Sequence, residues 1–594
     1  MCKDICFKLS FLLLIFSSFK SYTNGEPIIN TIAGMIQGKN LEFSEGNVTE
    51  YLGIPFAYPP MGLYRFRGPV ELEKPAWNGT FNAVKLAKHC FQPIQNMKFT
   101  EYDDVDSKNL ISEDCLQLNI WVPHKTSGDV IVFIFGGDYN SGSPSLDIYN
   151  GSILALKTQS IIVNLNYRLG IFAFGYLGES SEIKGNMGLL DQQLALKWVH
   201  ENIYAFGGDP SKVTLFGESA GGASVTAHLF SSGSHQYFSK VIIVSGVISN
   251  VWATVPEDIA EANTRNVSAL LHCNGTDTEI LKCLQDVNAT TLLNASLTVK
   301  HPKQLPLNIS FLPIHNDTVF FNGCVEKKIF KKDMKKDVDM LVGITFDEAN
   351  NFMHLILKKY DCRFDLSKDI TSKENLCLLD DNIYKGVVEM ISKMIDFNEQ
   401  ETKFLYNVYS KMRANTTKGK IYELLRDFLF DCTIASFAQR YYGLTNKKVY
   451  FYDFKHPSFT NPNQEFVGLM YGQDLLYLFG YPFRHPEKYT SETLEEEKKF
   501  SEKLMGYIKK FVSFGDLGET WQEFNSNSTK TLVINEHFLE TSDRKYVNAL
   551  SRTCKSFDMI ISSFVSRNVK TFVKKQVLQN KNLIVFQYSS DIKI

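Results

Sequence analysis

The sequence predicts an α/β protein: one large, mostly parallel, twisted sheet flanked by helices. Short apolar, β-branched runs recur along the chain, and stretches with helical spacing separate them. The runs are continuous rather than alternating in polarity, as expected for strands buried on both faces of a parallel sheet. The composition can fill a large core, with 44% hydrophobic, 13% aromatic and 22% charged residues. Disordered, collagen-like and coiled-coil chains are thereby excluded.

In chain order the runs are Val130 to Phe135, Ile161 to Asn166, Val213 to Phe216, Val241 to Val244, Met340 to Ile344 and Val449 to Phe454. Leu189 to Phe206 reads as a helix, because Leu190, Leu194, Trp198 and Ile203 recur near the 3.6-residue period. Lys358 to Ala414 is expected to form an all-helical cap. Lys498 to Val512 has an amphipathic pattern that fits a core-facing helix or a dimer-forming one equally well. Length alone would allow about four domains. No internal repeat or low-complexity linker divides the chain, so we read residues 1–24 as a signal peptide, 25–568 as one domain and 569–594 as a C-terminal tail.

The signal assignment rests on Lys3 and Lys8, the apolar stretch Leu9 to Phe16 and the polar segment Ser21 to Pro27. The stretch is too short to span a bilayer; a buried first strand or helix is the alternative. Asn-x-Ser/Thr sequons at Asn47, Asn78, Asn150, Asn266, Asn274, Asn288, Asn294, Asn308, Asn316, Asn415 and Asn527 fit a glycosylated extracellular surface. The segment Asn582 to Ile594 has no hydrophobic anchor, so a secreted product is expected rather than a membrane-anchored one. Lys and Arg number 63 against 65 Asp and Glu, leaving no basic field for nucleic acid.

Cys2 and Cys6 would leave with the signal. Among the remaining cysteines, secretion favours disulfides for Cys90, Cys115, Cys273, Cys283, Cys362, Cys377, Cys432 and Cys554, with Cys324 left over. No Cys-x-x-Cys pair or His-x-x-x-His cluster gives metal-ligand spacing. No metal and no cofactor are expected.

The segment Val213-Thr-Leu-Phe-Gly217-Glu218-Ser219-Ala220-Gly221-Gly222 is a strand running into Gly-x-Ser-x-Gly and then a helix over Ala223 to Phe230. Glycines on either side of Ser219 permit the sharp turn that lifts a serine oxygen above a sheet, beside helical N–H groups. Further segments are Ser112-Glu-Asp-Cys-Leu-Gln-Leu-Asn-Ile120, Asn166-Tyr-Arg-Leu-Gly170, Gly185-Asn-Met-Gly-Leu-Leu-Asp-Gln192 and Phe206-Gly-Gly-Asp-Pro210. Together they resemble the type-B carboxylesterases and cholinesterases, and the similarity runs from about Pro27 to about Ser566.

The resemblance implies an α/β-hydrolase fold, disulfides Cys90–Cys115, Cys273–Cys283 and Cys432–Cys554, and structural ion pairs Arg65 with Glu113 and Arg168 with Asp191. A Cys362–Cys377 bridge is expected from proximity alone. For catalysis the resemblance implies Ser219 as nucleophile, Glu348 in Gly343-Ile-Thr-Phe-Asp-Glu348 as the acid, and oxyanion donors at Gly136, Gly137, position 138 and Ala220. Glu218 belongs to the substrate site. The elbow residues Glu218, Ser219, Gly221 and Gly222 have an equally good structural reading, in which the turn simply packs tightly.

Two positions depart from the pattern. In Gly468-Leu-Met-Tyr471-Gly-Gln-Asp-Leu475 the residue where active relatives carry histidine is Tyr471. A neutral phenol, with an unperturbed pKa near 10, has no nitrogen to take the serine proton. In Ile134-Phe-Gly136-Gly137-Asp138-Tyr139 the third oxyanion glycine is Asp138. A carboxylate there repels developing negative charge, and loss of donor geometry costs roughly two to three orders of magnitude in rate.

At the expected choline site, Val105 and Asn351 stand where cholinesterases place aromatic faces, so no cation–π cage forms. Asp103, Asp104 and Asp106 make the gorge mouth acidic or are a solvated loop. Trp252 and Phe352 suggest a surviving apolar pocket, though core packing explains them as well. Two readings follow: a catalytically impaired or silent secreted protein that binds an extracellular protein or an apolar small molecule, and an ester hydrolase with an altered base. For the second, Asp138 would hold a water or His456 would enter as base. A homodimer is compatible with either.

Overall fold

The computed structural model describes residues 26–94, 110–304, 307, 309–360, 362, 368, 377–411, 416–458, 469, 471–525, 528–540, 544–557 and 559. The signal segment 1–24, Asp103, Asp104, Val105 and Asp106, the sequons at Asn308, Asn415 and Asn527, and the tail 569–594 lie outside the described residues.

The frame is an 11-stranded sheet. Its strands are β1 (Lys39–Phe43), β2 (Gly46–Pro55), β3 (Gln117–Pro123), β4 (Val130–Ile134), β5 (Ile161–Leu165), β6 (Val213–Glu218), β7 (Lys240–Val244), β8 (Asp339–Thr345), β9 (Val449–Phe454), β10 (Lys530–Ile534) and β11 (Tyr546–Asn548). Across the sheet the order is β11, β10, β9, β8, β7, β6, β4, β5, β3, β2, β1. Every pairing from β5 through β4, β6, β7, β8 and β9 to β10 is parallel. Both margins are antiparallel.

The apolar runs of the sequence coincide with β4 to β9, which are buried almost throughout. The antiparallel margin strands carry more mixed residues, such as Lys39-Asn-Leu-Glu-Phe43 in β1, and have no continuous run to announce them. The expected helix over Leu189 to Phe206 is Met187–Asn202 followed by a 3-10 turn over Ile203–Phe206. The cap region contains helices Asp381–Met394 and Glu399–Ser410. Ser491–Phe514 is one helix whose apolar face, including Phe500, Leu504, Ile508 and Phe511, is buried in the chain's own core. Its amphipathic pattern is therefore that of a core-facing helix.

Disulfides join Cys90–Cys115, Cys273–Cys283, Cys362–Cys377 and Cys432–Cys554, and among the described residues Cys324 is left free and half-buried. Arg168 holds Asp191 through two guanidinium nitrogens at 2.7 and 2.6 Å, both side chains being buried. Arg65 grips Glu113 in the same bidentate way and also donates to the carbonyls of Leu284 and Val287 at 2.8 and 2.6 Å. That contact ties the end of helix Asp277–Asp286 to the connection between β2 and β3.

Asn47, Asn78, Asn266, Asn274, Asn288, Asn294 and Asn316 are exposed. Asn150 is only half-exposed, and its side-chain oxygen accepts from the N–H and hydroxyl of Ser152 at 3.0 and 2.6 Å.

Candidate active site

In a parallel sheet, side chains that act on a ligand collect at the carboxyl ends of the strands. Here β6, β7 and β8 end side by side, with Glu218 level with Val244 and Val244 level with Gly343. Ser219 follows β6 at φ 56° and ψ −123° and hands the chain to helix Ala220–Phe230. Its N–H donates to the Val244 carbonyl at 2.8 Å, which anchors the turn to the neighbouring strand. A positive φ at serine is strained. The glycines make the turn possible: a Cβ on Gly221 would run into the Ile134 carbonyl, and one on Gly222 into the Gly246 and Val244 carbonyls.

Glu348 lies just beyond β8 and is fully buried. Its Oε1 accepts from the Ser245 hydroxyl and from the Thr345 N–H, the latter at 2.9 Å. Among the described residues its Oε2 has no hydrogen-bond partner. Burial, with Asp431 nearby, pushes its pKa well above the ordinary carboxylate range.

Tyr471 occupies the place between these groups. Its hydroxyl donates to the Ser245 carbonyl oxygen at 3.1 Å and stands within hydrogen-bonding reach of the Ser219 side chain. Burial, together with Glu218 and Glu348, drives the phenol well above its usual pKa, so it stays neutral at physiological pH. With its single hydrogen given to Ser245, the phenol oxygen is left to accept from Ser219.

The histidine considered as a substitute is committed elsewhere. His456 Nε2 bonds Glu497 at 2.9 Å, and the ring stacks on Phe500 with centroids 3.8 Å apart. His228, in the helix after Ser219, bonds Ser234 and Gln192. Burial lowers its pKa to about 3.

The oxyanion loop keeps more of its form than the residue at 138 suggests. Asp138 adopts φ 57°, a left-handed conformation that Asp tolerates, and Gly137 has φ 115°. A Cβ on Gly136 would stand 2.9 Å from the Ser219 Cβ, so the loop lies directly against the elbow. Among the described residues no backbone carbonyl takes the N–H of Gly137, Asp138 or Ala220. Asp138 thus retains a backbone donor and adds a carboxyl, whose pKa burial raises to about 6. Burial, then Asp474 and Asp138, also raises Glu218. The site is a cluster of desolvated carboxyls.

Trp252 and Phe352 belong to one aromatic cluster with Tyr471. Phe430, which the sequence did not single out, joins them: its ring lies 5.8 Å from Trp252, 5.3 Å from Phe352 and 5.4 Å from Tyr471. Phe430 is carried by a π-helical turn, Asp427–Asp431, and the Trp252 indole N–H donates to the Leu429 carbonyl of that turn at 2.9 Å. Ser245 was missed as the partner of Glu348, since a single serine after a strand gives no pattern. The π turn was missed because its residues keep helical spacing.

Residues 25–551 match the carboxylesterase family model. The chain is 33% identical over 549 residues to acetylcholinesterase 4 of Caenorhabditis briggsae, covering 88% of each chain. It is 31% identical to a cholinesterase of Mus musculus, covering 89% of this chain and 86% of that one, and 31% identical to an acetylcholinesterase of Danio rerio, covering 88% and 87%. The chain belongs to the carboxylesterase family. Ser219, Glu348, Tyr471 and Asp138 all fall within the matched region of this family member, and Cys554 lies just past it.

Proposed function

We propose that this carboxylesterase-family protein is catalytically impaired or silent, and that it acts by binding an extracellular protein or an apolar small molecule. The observation that carries this reading is the pairing at the elbow. Among the described residues, the side chain that reaches Ser219 is a neutral phenol already donating to Ser245. Acyl transfer requires a group that takes the serine proton and returns it to the leaving group near neutral pH; a neutral phenol oxygen is far too weak a base to cycle in that way. Among the described residues Glu348, its Oε2 unpartnered, has no imidazole to orient.

In this proposal residues 1–24 direct secretion and are removed, residues 25–568 form the folded unit, and the exposed sequons carry glycans. No helix among the described residues is long and apolar enough to cross a membrane. Self-association, where it occurs, uses a surface other than the buried face of Ser491–Phe514.

The second reading, an ester hydrolase with an altered base, draws on Asp138. A carboxyl with a pKa about 6 beside the elbow is a proton acceptor in the right range. Treatment with a fluorophosphonate probe and an activated ester separates the two. Native protein and Ser219→Ala are expected to behave alike, with no covalent labelling. Labelling or turnover that vanishes in Ser219→Ala establishes the hydrolase instead.

A further inference from the structure

We propose that Val325 to Lys336 forms a docking face for an anionic phospholipid surface, at the pole of the molecule opposite Ser219. The segment reads Val-Glu-Lys-Lys-Ile-Phe-Lys-Lys-Asp-Met-Lys-Lys, and its lysines outnumber Glu326 and Asp333 in a chain whose net charge is −2. It opens as helix Val325–Lys331, and Lys332 turns the chain at φ 60°. The Lys335 N–H then donates to the Leu229 carbonyl at 2.8 Å, which seats the segment on the body of the protein.

Phe330 is 83% exposed, while Ile329 and Met334 are half-buried against the core. Lys327, Lys331, Lys332 and Lys336 are exposed. Among the described residues none of these four pairs with an acid, whereas Lys328 and Lys335 are engaged by Asp333 and Asp337. The Lys336 carbonyl accepts from the Thr445 hydroxyl at 2.5 Å, so the face continues toward Lys447.

Topology fixes where this face points. The segment ends just before β8, whereas Ser219 follows β6, and β6, β7 and β8 are parallel. The lysines therefore gather at the amino ends of the strands and the elbow at their carboxyl ends. Lys212, just before β6, and Lys240, at the start of β7, stand at the same pole as the segment. A molecule docked there leaves the site at Ser219 facing away from the surface.

The combination of groups selects the partner. Unpaired lysines suit any polyanion, but an exposed phenyl ring beside them gains nothing from a hydrated polyanion and is buried by an acyl layer. An anionic bilayer interface supplies both, phosphate and carboxylate outside and acyl chain beneath. With the chain near neutrality the attraction is local, confined to about a Debye length of 8–10 Å.

The test is cosedimentation of the full chain with phosphatidylcholine vesicles, with and without phosphatidylserine. Binding is expected only when phosphatidylserine is present. Combining Lys327→Gln, Lys331→Gln and Lys332→Gln should lower the partition coefficient roughly 100-fold, at about fivefold per lysine. Phe330→Ser should lower it about tenfold while leaving retention on heparin unchanged. All four positions are exposed, and an unchanged melting temperature verifies folding. Ser219→Ala should bind vesicles as the native chain does, so the result is independent of the reading of the elbow. Absence of cosedimentation with phosphatidylserine overturns the proposal. Vesicle binding indifferent to Phe330→Ser also overturns it, and marks the face as a site for soluble polyanions.

Discussion

Tyr471 gives its phenolic hydrogen to the carbonyl oxygen of Ser245 at 3.1 Å, while the side chain of the same Ser245 donates to Glu348. The nucleophile position and the acid position are thus joined through a serine and a phenol, neither of which carries a proton reversibly near pH 7.

If the missing base and the altered oxyanion loop both suppress chemistry, Tyr471→His combined with Asp138→Gly should restore hydrolysis of an activated ester. Asp138→Gly alone still lacks a base, and Tyr471→His alone still faces a carboxyl beside the oxyanion. The double variant should exceed either single variant by roughly two orders of magnitude in kcat/KM. Steady-state kinetics on all three variants check this, and a double variant as slow as the native chain would refute it.

Asp138 also predicts a stability effect. Its folded pKa of about 6 lies above the unfolded value, so the folded state binds the proton more tightly and loses stability as pH rises from about 4 to about 6. Asp138→Asn removes that cost. The variant should be more stable than the native chain by about 1–3 kcal/mol at pH 8 and equal to it at pH 3.5, as measured by urea denaturation at the two pH values.

The pair Asp147 and His485 works in the opposite sense. His485 Nε2 bonds Asp147 at 2.6 Å, and Arg484 bonds it as well. Despite burial, these partners lower Asp147 to about 2, and the bond to Asp147 raises His485. The His485 contribution is complete below its unfolded pKa of about 6.5 and is lost as pH rises through its folded value. The Asp147 contribution is present above about 4 and is lost as pH falls toward 2. His485→Gln should therefore flatten the decline of stability above pH 6.5 while leaving the acid limb in place, a difference visible in thermal melts across pH 3 to 9.

The Cys432–Cys554 bridge closes the longest of the disulfide loops, with a sequence separation of 122. It ties helix Cys432–Tyr442 to the segment that follows β11. Replacing both cysteines by serine should cost about 2–5 kcal/mol, largely through the unfolded chain. Chemical denaturation of the non-reduced proteins measures it.

Much of the frame was legible because burial leaves a local mark. The continuous apolar runs from Val130 to Phe454 placed the parallel strands β4 to β9 but not β10, and Gly217-x-Ser219-x-Gly221 placed the turn. The antiparallel margins were less legible, since a half-exposed strand such as Lys39–Phe43 mixes polar and apolar residues. Phe430 escaped notice because a π turn differs from an α-helix by one residue of hydrogen-bond register, which residue spacing does not encode.

The sequence by itself determined which groups are present at the elbow: a serine, the three carboxyls of Asp138, Glu218 and Glu348, a phenol, and no imidazole at position 471. Only the tertiary structure decided where their hydrogens go. The bonds from Tyr471 to Ser245, from Ser245 to Glu348 and from His456 to Glu497 all join residues far apart in the chain. A hydrogen bond is fixed by distance and direction within about 3 Å, and those are properties of the folded chain rather than of residue order.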